Sequence, residues 1–164
     1  MNKYNFRCII AGIAVGILLK FFVVDIIHVS GSSMYPTIKN GQTLVVNKLA
    51  YGLDMPFASF LITQWKSPEV GDIVVFMKDN NMVIKRVSAV GGTKLEYSTI
   101  SGYNLIINGK HIALSAEQYY RMKNSTVVPE NTVFVTGDNQ DVSIDSRSYG
   151  FVPTSNILGK VFFK

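Results

Sequence analysis

The hydrophobic pattern begins with a long apolar run near the N-terminus. It extends from Cys8 to Val24 and is interrupted by one charged residue, Lys20. Continued to Ile27, the run reaches the about 20 residues that a helix needs to cross a bilayer. The long stem of Lys20 can carry its ammonium group towards the lipid headgroups. The pattern therefore predicts one transmembrane helix.

Basic residues in front of the run predict its orientation. Lys3 and Arg7 precede it, and positively charged residues favour the cytoplasmic side of a membrane. We therefore expect residues 1–7 in the cytoplasm, a transmembrane anchor at 8–27 and an extracytoplasmic domain at 28–164. The alternative is a cleaved signal peptide, but the apolar run continues past its one lysine, which favours a retained anchor.

Beyond residue 28 the pattern is mostly that of β-strands. Short runs of β-branched and aromatic residues alternate with Gly, Asn and Asp turns. Asn108-Gly109 lies between two apolar arms and predicts a tight hairpin, and residues 115–123 predict a short helix. We expect a single, mainly antiparallel β domain. The predicted strands are 42–46, 73–76, 82–90, the two arms of 105–114, 132–136 and 158–163.

The segment from Tyr51 to Trp65 departs from this alternation. It is rich in apolar and aromatic residues and contains Pro56. One interpretation is a satellite core cluster under a loop. The other is a surface that dips into the membrane interface, where Trp and Phe are favoured. The sequence leaves both open.

The composition excludes several kinds of site. The one cysteine among 164 residues, Cys8, lies in the apolar run, so we expect no intramolecular disulfide and no Cys-based metal site. His28 and His111 lack the spacing of metal ligands, and we expect no metal or cofactor. The net charge of +5 comes from scattered Lys and Arg residues. A mild charge of this kind fits attraction to anionic lipid as well as simple solubility, and we favour a mixture of the two. The scattered distribution does not indicate nucleic-acid binding.

Ser33 is a candidate nucleophile. It follows the apolar run within Ser30-Gly31-Ser32-Ser33-Met34-Tyr35-Pro36-Thr37. A serine in such a stretch is more often a turn residue, and its hydroxyl becomes a good nucleophile only when a base removes its proton. The serine therefore carries chemistry only if the fold supplies a base.

Lys85 is the candidate base, within the predicted strand 82–90. Alternate residues of a strand share a face, so Lys85 lies with Val83 and Val87 on the apolar face, and Arg86 lies on the other. Burial there would lower the pKa of the lysine and make the neutral amine available as a general base. The pattern alone, however, favours an edge strand in which Lys85 faces solvent.

The segment Gly137–Arg147 holds three aspartates, two serines and an arginine. The simplest interpretation is a surface loop with local Asx turns. The functional interpretation is a polar buttress, in which Asp145 or Asp138 pairs with Arg147 and a serine hydroxyl orients the lysine amine.

Together, these motifs resemble those of the bacterial type I signal peptidases, particularly the short members with one N-terminal anchor. The resemblance covers nearly the whole chain, and although each motif is weak alone, their order behind an apolar run is specific. The motifs are Ser33-Met34-Tyr35-Pro36-Thr37, Gly71-Asp72-Ile73-Val74-Val75-Phe76, Ile84-Lys85-Arg86-Val87 followed by Gly91-Gly92, Gly137-Asp138-Asn139 through Ser143-Ile144-Asp145-Ser146-Arg147, and Gly150-Phe151-Val152-Pro153.

The resemblance implies a coiled, antiparallel β-sheet catalytic domain behind the transmembrane helix, and a serine peptidase with a Ser–Lys dyad. Ser33 would be the nucleophile and Lys85 the general base, with Ser143 holding the lysine amine. The backbone N–H of Ser33 would contribute to the oxyanion hole. The positions that match supporting residues of the family are Asp138, Asp145 and Arg147.

The implied substrates are exported preproteins, cut after a small residue with another small residue two positions earlier. Shallow apolar pockets and the backbone beside the nucleophile would bind them. The residues expected at the pockets and the oxyanion hole are Val29, Gly31, Ser32, Met34, Val83 and Ile84. Membrane lipid is the other expected partner.

Three positions depart from the family pattern. Gly31 stands where some members carry a serine whose hydroxyl aids the oxyanion hole, and Ser32 is not its match, so the second donor stays open. Gln140 and Val142 stand where Arg and Asn are common. Without that arginine, Asp138 loses one possible ion-pair partner.

Two other functions compete with peptidase activity towards preproteins. One is a catalytically weak or silent relative that acts as an assembly factor or chaperone for exported surface proteins such as pilins; the presence of both Ser33 and Lys85 argues against it. The other is a self-cleaving repressor with a Ser–Lys dyad. The apolar anchor and the lack of a DNA-binding module argue against that.

Overall fold

The structure, a computed structural model, describes residues 3–54 and 60–162, which form three α-helices and twelve β-strands. The helices are α1 (Lys3–Phe22), α2 (Ala116–Met122) and α3 (Ser146–Tyr149). The strands are β1 (Val24–His28), β2 (Thr43–Asn47), β3 (Gly52–Asp54), β4 (Leu61–Gln64), β5 (Ile73–Lys78), β6 (Asn81–Val90), β7 (Glu96–Ser98), β8 (Asn104–Ile107), β9 (Lys110–Ala113), β10 (Thr132–Thr136), β11 (Val152–Pro153) and β12 (Ile157–Phe162).

Seven strands form the main sheet, and every neighbouring pair in it is antiparallel. Their order is β1-β2-β12-β5-β6-β10-β11. The last of the described strands, β12, therefore lies between β2 and β5. Two smaller antiparallel sheets contain β3–β4 and β7–β8–β9. The predicted mainly antiparallel β architecture is confirmed.

Local signals placed the β8–β9 hairpin and α2 correctly. Asn108 and Gly109 both have positive φ, 49° and 78°, as the tight turn of a two-residue hairpin requires. The helix α2 begins with a capping box, in which Ser115 and Gln118 exchange side-chain and backbone hydrogen bonds.

The apolar N-terminal segment forms α1 and then a strand. We expect a helix through Ile27, whereas α1 ends at Phe22 and Val24–His28 form β1, paired with β2. The β-branched residues at 23–27 suit a pleated strand, and β2 offers them a hydrogen-bonding edge. Within residues 3–54 and 60–162, no helix combines the length and the hydropathy that a membrane crossing requires.

Alternation along β5 separates two clusters of buried side chains. Val74 and Phe76 pack with Val87 of β6, whereas Ile73 and Val75 belong to a second group, the loop cluster. The loop cluster fixes the connection between β1 and β2 to the sheet. Its members are Val29, Met34, Ile38, Leu44, Val46, Ile73, Val75 and Val161.

The segment 51–65 divides between core and surface. Tyr51 and Leu61 are buried in the cluster that contains Val74, as the satellite-core interpretation predicts. Residues 55–59 lie outside the described part of the chain. The membrane-interface interpretation stays a prediction, carried by three exposed side chains: Phe60, Ile62 and Trp65.

Candidate active site

The loop that carries Ser33 connects β1 to β2 and is closed at its base by hydrogen bonds. Val29 N donates to Gln42 O and Gly41 N donates to Val29 O, both at 2.9 Å. Met34 is buried in the loop cluster, while Ser33 is half-buried. The backbone is therefore held against the sheet on both sides of the serine.

Lys85 lies on an inner strand of the main sheet. Its strand, β6, pairs with β5 over residues 81–86 and with β10 over residues 86–90. The interpretation in which Lys85 faces solvent is nevertheless wrong. The lysine is only 5% exposed. Burial alternates along β6, with Lys85, Val87 and Ala89 buried and Arg86 and Ser88 less so, as the predicted division of faces requires.

Ser33 and Lys85 meet directly. Lys85 Nζ donates a hydrogen bond of 2.7 Å to Ser33 Oγ. Burial lowers the pKa of Lys85, and the nearby charge of Asp145 opposes this shift only in part. A lysine with a lowered pKa loses its proton more readily, and a neutral amine at this distance can accept the proton of the serine hydroxyl.

A buried ion pair organises the loop that follows β10. Arg147 Nε and Nη2 donate to the two carboxylate oxygens of Asp145 at 2.9 and 3.0 Å, and both side chains are at most 5% exposed. Gly137 N donates to Asp145 Oδ2 at 3.0 Å, and Arg147 Nη2 donates to Gln140 O at 2.7 Å. The predicted Asp145–Arg147 pair is present, and this segment is not a plain surface loop.

Asp138 pairs with Arg86, not with Arg147. Arg86 Nε and Nη2 donate to its two carboxylate oxygens at 2.8 and 2.7 Å. Burial alone would raise the pKa of Asp138, but hydrogen bonds from Arg86 and Thr37 hold it below the ordinary value. The face of β6 opposite Lys85 thus binds the segment after β10, and the sequence did not indicate this role for Arg86.

Ser143 lies beside the loop that carries Ser33 and connects β1 to β2, the nucleophile loop, without forming a hydrogen bond to Lys85. Its hydroxyl is buried and has no hydrogen-bond partner in the described part of the chain. A Cβ added to Gly137 would collide with Ser143 Oγ and would lie 2.5 Å from Ser33 O. Ser143, Gly137 and the Ser33 carbonyl therefore pack tightly together, but the expected bond from Ser143 to Lys85 is not formed in this structure.

Asn139 is a site residue that sequence reasoning missed. Its backbone N–H donates to Ser33 O at 3.0 Å, and its Nδ2 donates to Ser32 O at 3.2 Å. The available signal was its place in a Gly-Asp-Asn turn directly after a strand, which marks a turn but does not say what the turn contacts.

The backbone N–H of the nucleophile itself is a free donor. Ser33 N–H has no hydrogen-bond partner among the described residues. Gly31, at φ 108°, donates its N–H to Asn40 Oδ1 at 2.9 Å, so that donor is occupied. Ser32 is exposed, and its carbonyl accepts from Tyr35 N at 3.1 Å.

Two depressions meet at the dyad and share Ser33, Val83 and Lys85. The first, of about 260 Å³, lies between β6 and the segment that runs from β1 into the nucleophile loop. The second, of about 490 Å³, extends towards α3 and the β5–β6 turn. The first brings together Val29, Gly31, Met34, Val83 and Ile84; Ser32 does not line it.

These features fit acyl transfer through a serine, and comparison with known proteins names the family. The family model described as "Signal peptidase, peptidase S26" matches residues 2–164. The chain belongs to this family. Membership makes it a signal peptidase, and the comparisons give no support to the silent assembly-factor alternative.

Relatives of this signal peptidase come from several bacteria. It is 31% identical to "Probable signal peptidase I-1" of Synechocystis sp., over 99% of this chain and 81% of the relative. It is 32% identical to "Signal peptidase I" of Bacillus caldolyticus, over 89% and 81% of the two chains. "Signal peptidase IB" of Staphylococcus aureus is 31% identical, over 94% and 86%.

A crystal structure of a signal peptidase I from Enterococcus faecalis also matches this signal peptidase. The two chains are 30% identical, and the match covers 58% of this chain and 97% of the other, with a TM-score of 0.41.

Proposed function

We propose that this chain removes signal peptides from exported preproteins, with Ser33 as the nucleophile and Lys85 as the general base. The observation that carries the proposal is the 2.7 Å contact between the two side-chain atoms, made by a lysine that is 5% exposed. An exposed lysine would stay protonated near neutral pH, so burial is the feature that makes this one a usable base.

The proposed reaction follows the usual course of acyl transfer. Neutral Lys85 takes the proton from Ser33 Oγ as that oxygen attacks the scissile carbonyl carbon. The carbonyl oxygen becomes an oxyanion, and Ser33 N–H donates to it. The lysine ammonium then protonates the leaving amine as the C–N bond breaks. A water molecule, deprotonated by the same lysine, releases the acyl group from the serine.

Substrate binding would use the free edge of β6. The last residue of β10 that pairs with β6 is Thr136, opposite Arg86, so no described strand pairs with residues 82–85 on that side. An extended peptide can add to such an edge through its backbone. The first depression lies along this edge, and its residues Val29, Met34, Val83 and Ile84 would then accept the small side chains before the cut.

Three charged residues and one serine complete the proposed site. Asp145 and Arg147 would hold in place the segment after β10 that contacts the Ser33 loop, and Asp138 would bind this segment to β6. Ser143 would orient the lysine amine by turning its unpaired hydroxyl towards it during the reaction. Ser143→Ala should then lower the turnover rate without abolishing it, and activity equal to the parent would show that this hydroxyl has no such role.

Membrane attachment through α1 is part of the proposal. Large apolar side chains of the helix are exposed around its circumference, and a helix that is apolar on all sides needs a nonpolar environment. We propose attachment with residues 1–7 in the cytoplasm and the peptidase domain outside. The exposed side chains are Ile9, Ile10, Ile13, Val15, Ile17 and Phe21.

The deciding experiment is cleavage of a preprotein by the detergent-solubilised chain, with sequencing of the new N-terminus. The parent should produce one mature N-terminus, and Ser33→Ala and Lys85→Ala should produce none. Lys85→Arg should also fail, because a guanidinium cannot accept a proton at working pH. Near-parental turnover by Lys85→Arg would refute the lysine-base mechanism.

A pH profile gives an independent test of the base. The rate should rise with pH as Lys85 loses its proton, because only the neutral amine can act. The midpoint should lie below the ordinary lysine pKa of about 10.4, since burial lowers this pKa. A midpoint at or above that value would contradict the buried base.

The proposed pockets predict a preference for small residues before the cut. A preprotein with Ala at this position should be processed, and the same preprotein with Phe or Trp should not, because overfilling a tight pocket costs about 1–3 kcal/mol or more. Equal cleavage of both would contradict the assignment of the first depression.

Attachment and topology are tested in cells. The protein should sediment with membranes and resist a high-salt wash, since apolar contact is not screened by salt. Protease added to intact protoplasts should digest the domain. Protection of the domain would reverse the proposed orientation.

A further inference from the structure

Asn139 holds two successive carbonyl groups of the nucleophile loop. Its backbone N–H donates to Ser33 O at 3.0 Å, and its side-chain Nδ2 donates to Ser32 O at 3.2 Å. The contact joins residues that are 107 positions apart along the chain. One residue thus fixes the peptide groups on both sides of the Ser33 α-carbon.

The bond to Ser32 O also determines where Ser33 N–H points. The carbonyl of Ser32 and the N–H of Ser33 belong to the same planar peptide group, and in a trans peptide the two bonds point in opposite directions. A donor that fixes the carbonyl therefore fixes the N–H. Tyr35 N donates to the same carbonyl at 3.1 Å, so the oxygen is held by a donor inside the loop and a donor outside it.

The outside donor is itself attached to the sheet. Asp138, the preceding residue, is paired with Arg86 of β6 through two hydrogen bonds of 2.7 and 2.8 Å. Gly137 is tied to the buried Asp145 at 3.0 Å. Asn139 consequently projects from a segment whose position is set by β6, the strand that carries the lysine.

We propose that Asn139 is a positioning residue that sets the direction of Ser33 N–H towards the oxyanion. The inference rests on the proposed function, in which Ser33 attacks a carbonyl. An oxyanion donor acts where charge develops in the transition state. Misdirecting that donor therefore lowers kcat while leaving substrate binding in the first depression largely unchanged.

The test compares Asn139→Ala with Asn40→Ala. The first removes the bond to Ser32 O but keeps the backbone N–H that binds Ser33 O. The second removes the side chain that accepts from Gly31 N at 2.9 Å. Each variant loses one hydrogen bond between an asparagine side chain and the backbone of the same loop. Only the bond from Asn139 involves the peptide group that contains Ser33 N–H.

We expect Asn139→Ala to lower kcat by roughly tenfold to a hundredfold, short of the about 10²–10³-fold lost when an oxyanion donor is removed outright. KM and the pH midpoint of the rate should stay at the parental values, because the lysine is untouched. Asn40→Ala should keep a kcat close to that of the parent. Circular dichroism and thermal unfolding of each variant establish that it is folded.

A peptide aldehyde provides a readout that general disorder of the loop would not produce. The aldehyde forms a tetrahedral adduct with the serine oxygen, so its affinity should fall in Asn139→Ala by about the same factor as kcat/KM. The product peptide with a free carboxylate should bind as it does to the parent. Asn139→Asp, which has nearly the same shape but no side-chain donor, should show the same losses and serves if the alanine variant fails to fold.

Four results would overturn the inference. Equal losses in Asn139→Ala and Asn40→Ala would indicate general loop order, and a loss confined to KM would indicate substrate contact. A parental kcat in both Asn139 variants would show that the direction of Ser33 N–H does not depend on the hydrogen bond from Asn139 to Ser32 O. Failure of the parent to cut any preprotein would contradict the proposed function itself, and with it this inference.

Discussion

Neutralising Asp145 should destabilise the domain far more than neutralising a matched surface carboxylate. Asp145 is fully buried, and its partner Arg147 is 5% exposed. In Asp145→Asn the shape is kept, but the guanidinium stays buried without a counter-charge. Breaking one side of a buried pair costs about 3–5 kcal/mol, a large part of the about 5–15 kcal/mol that stabilises a domain.

Glu117→Gln is the matched control, since it makes the same chemical change in the Glu117–Arg121 pair. Those side chains are 81% and 52% exposed, and exposed pairs contribute about 0–1 kcal/mol. With a urea m-value of about 2 kcal/mol/M, Asp145→Asn should lower the unfolding midpoint of the detergent-solubilised chain by about 1.5–2.5 M. The control should barely move it.

The same variant has a second expected effect, on Lys85. The charge of Asp145 raises the pKa of Lys85 against the effect of burial, so removing it should shift the pH midpoint of the rate further down. A shift in the urea midpoint no larger than that of Glu117→Gln would refute the reasoning that this pair is a buried structural centre.

Three further predictions concern neighbouring residues. Gly137→Ala should cost about 1–3 kcal/mol in urea unfolding and most of the activity, because the new Cβ lies 2.5 Å from Ser33 O; unchanged activity would contradict the close packing. Arg86→Lys should lower the free energy of unfolding by about 1 kcal/mol, because one amine cannot replace the two hydrogen bonds that the guanidinium donates to Asp138. This variant should still keep much more activity than Lys85→Arg. Equal loss of activity in both would contradict the assignment of the two residues to opposite faces of β6. Lys85→Met should stabilise the fold most at pH values below the lowered pKa of Lys85, where the buried amine of the parent must carry a proton. Between that pKa and about 10.4 the unfolded parent binds more protons than the folded one, so the parent gains stability as the pH rises. If the difference in unfolding free energy between variant and parent does not narrow over this range, the buried-amine assignment is contradicted.

The strands with local signals were predictable, and those that depend on distant partners were not. The β8–β9 hairpin follows from Asn108-Gly109 and its apolar arms. At β1 the pattern predicts the end of a helix, because a short apolar run suits either structure and only pairing with β2 decides between them. The residues at which the other helices and strands begin and end likewise depend on tertiary contacts that the local sequence does not show.

Pattern alone also gave the wrong environment for Lys85. It separated the two faces of β6 correctly, but β10, which covers one side of the strand from Arg86 onwards, lies more than 40 residues later along the chain. The link between Arg86 and Asp138 spans 52 residues, and no local spacing encodes it. The strand pattern makes Lys85 a candidate base for Ser33, and the family resemblance implies that the two act as a dyad, but no local spacing joins them.

The position of β12 determines which part of the chain completes the main sheet. Within the hydrogen-bonded ladder of the main sheet, β1 and β2, which flank the loop that carries Ser33, connect to the β5–β6 pair across β12. Until residues 157–162 have been synthesised, the two halves of the main sheet have no strand between them. The strand synthesised last among the described ones therefore completes the hydrogen-bonded ladder between the strands that flank the serine loop and the strand that carries the lysine. The spacing of Ser33 and Lys85 depends on this late strand as well as on the direct packing of the loop cluster against β5.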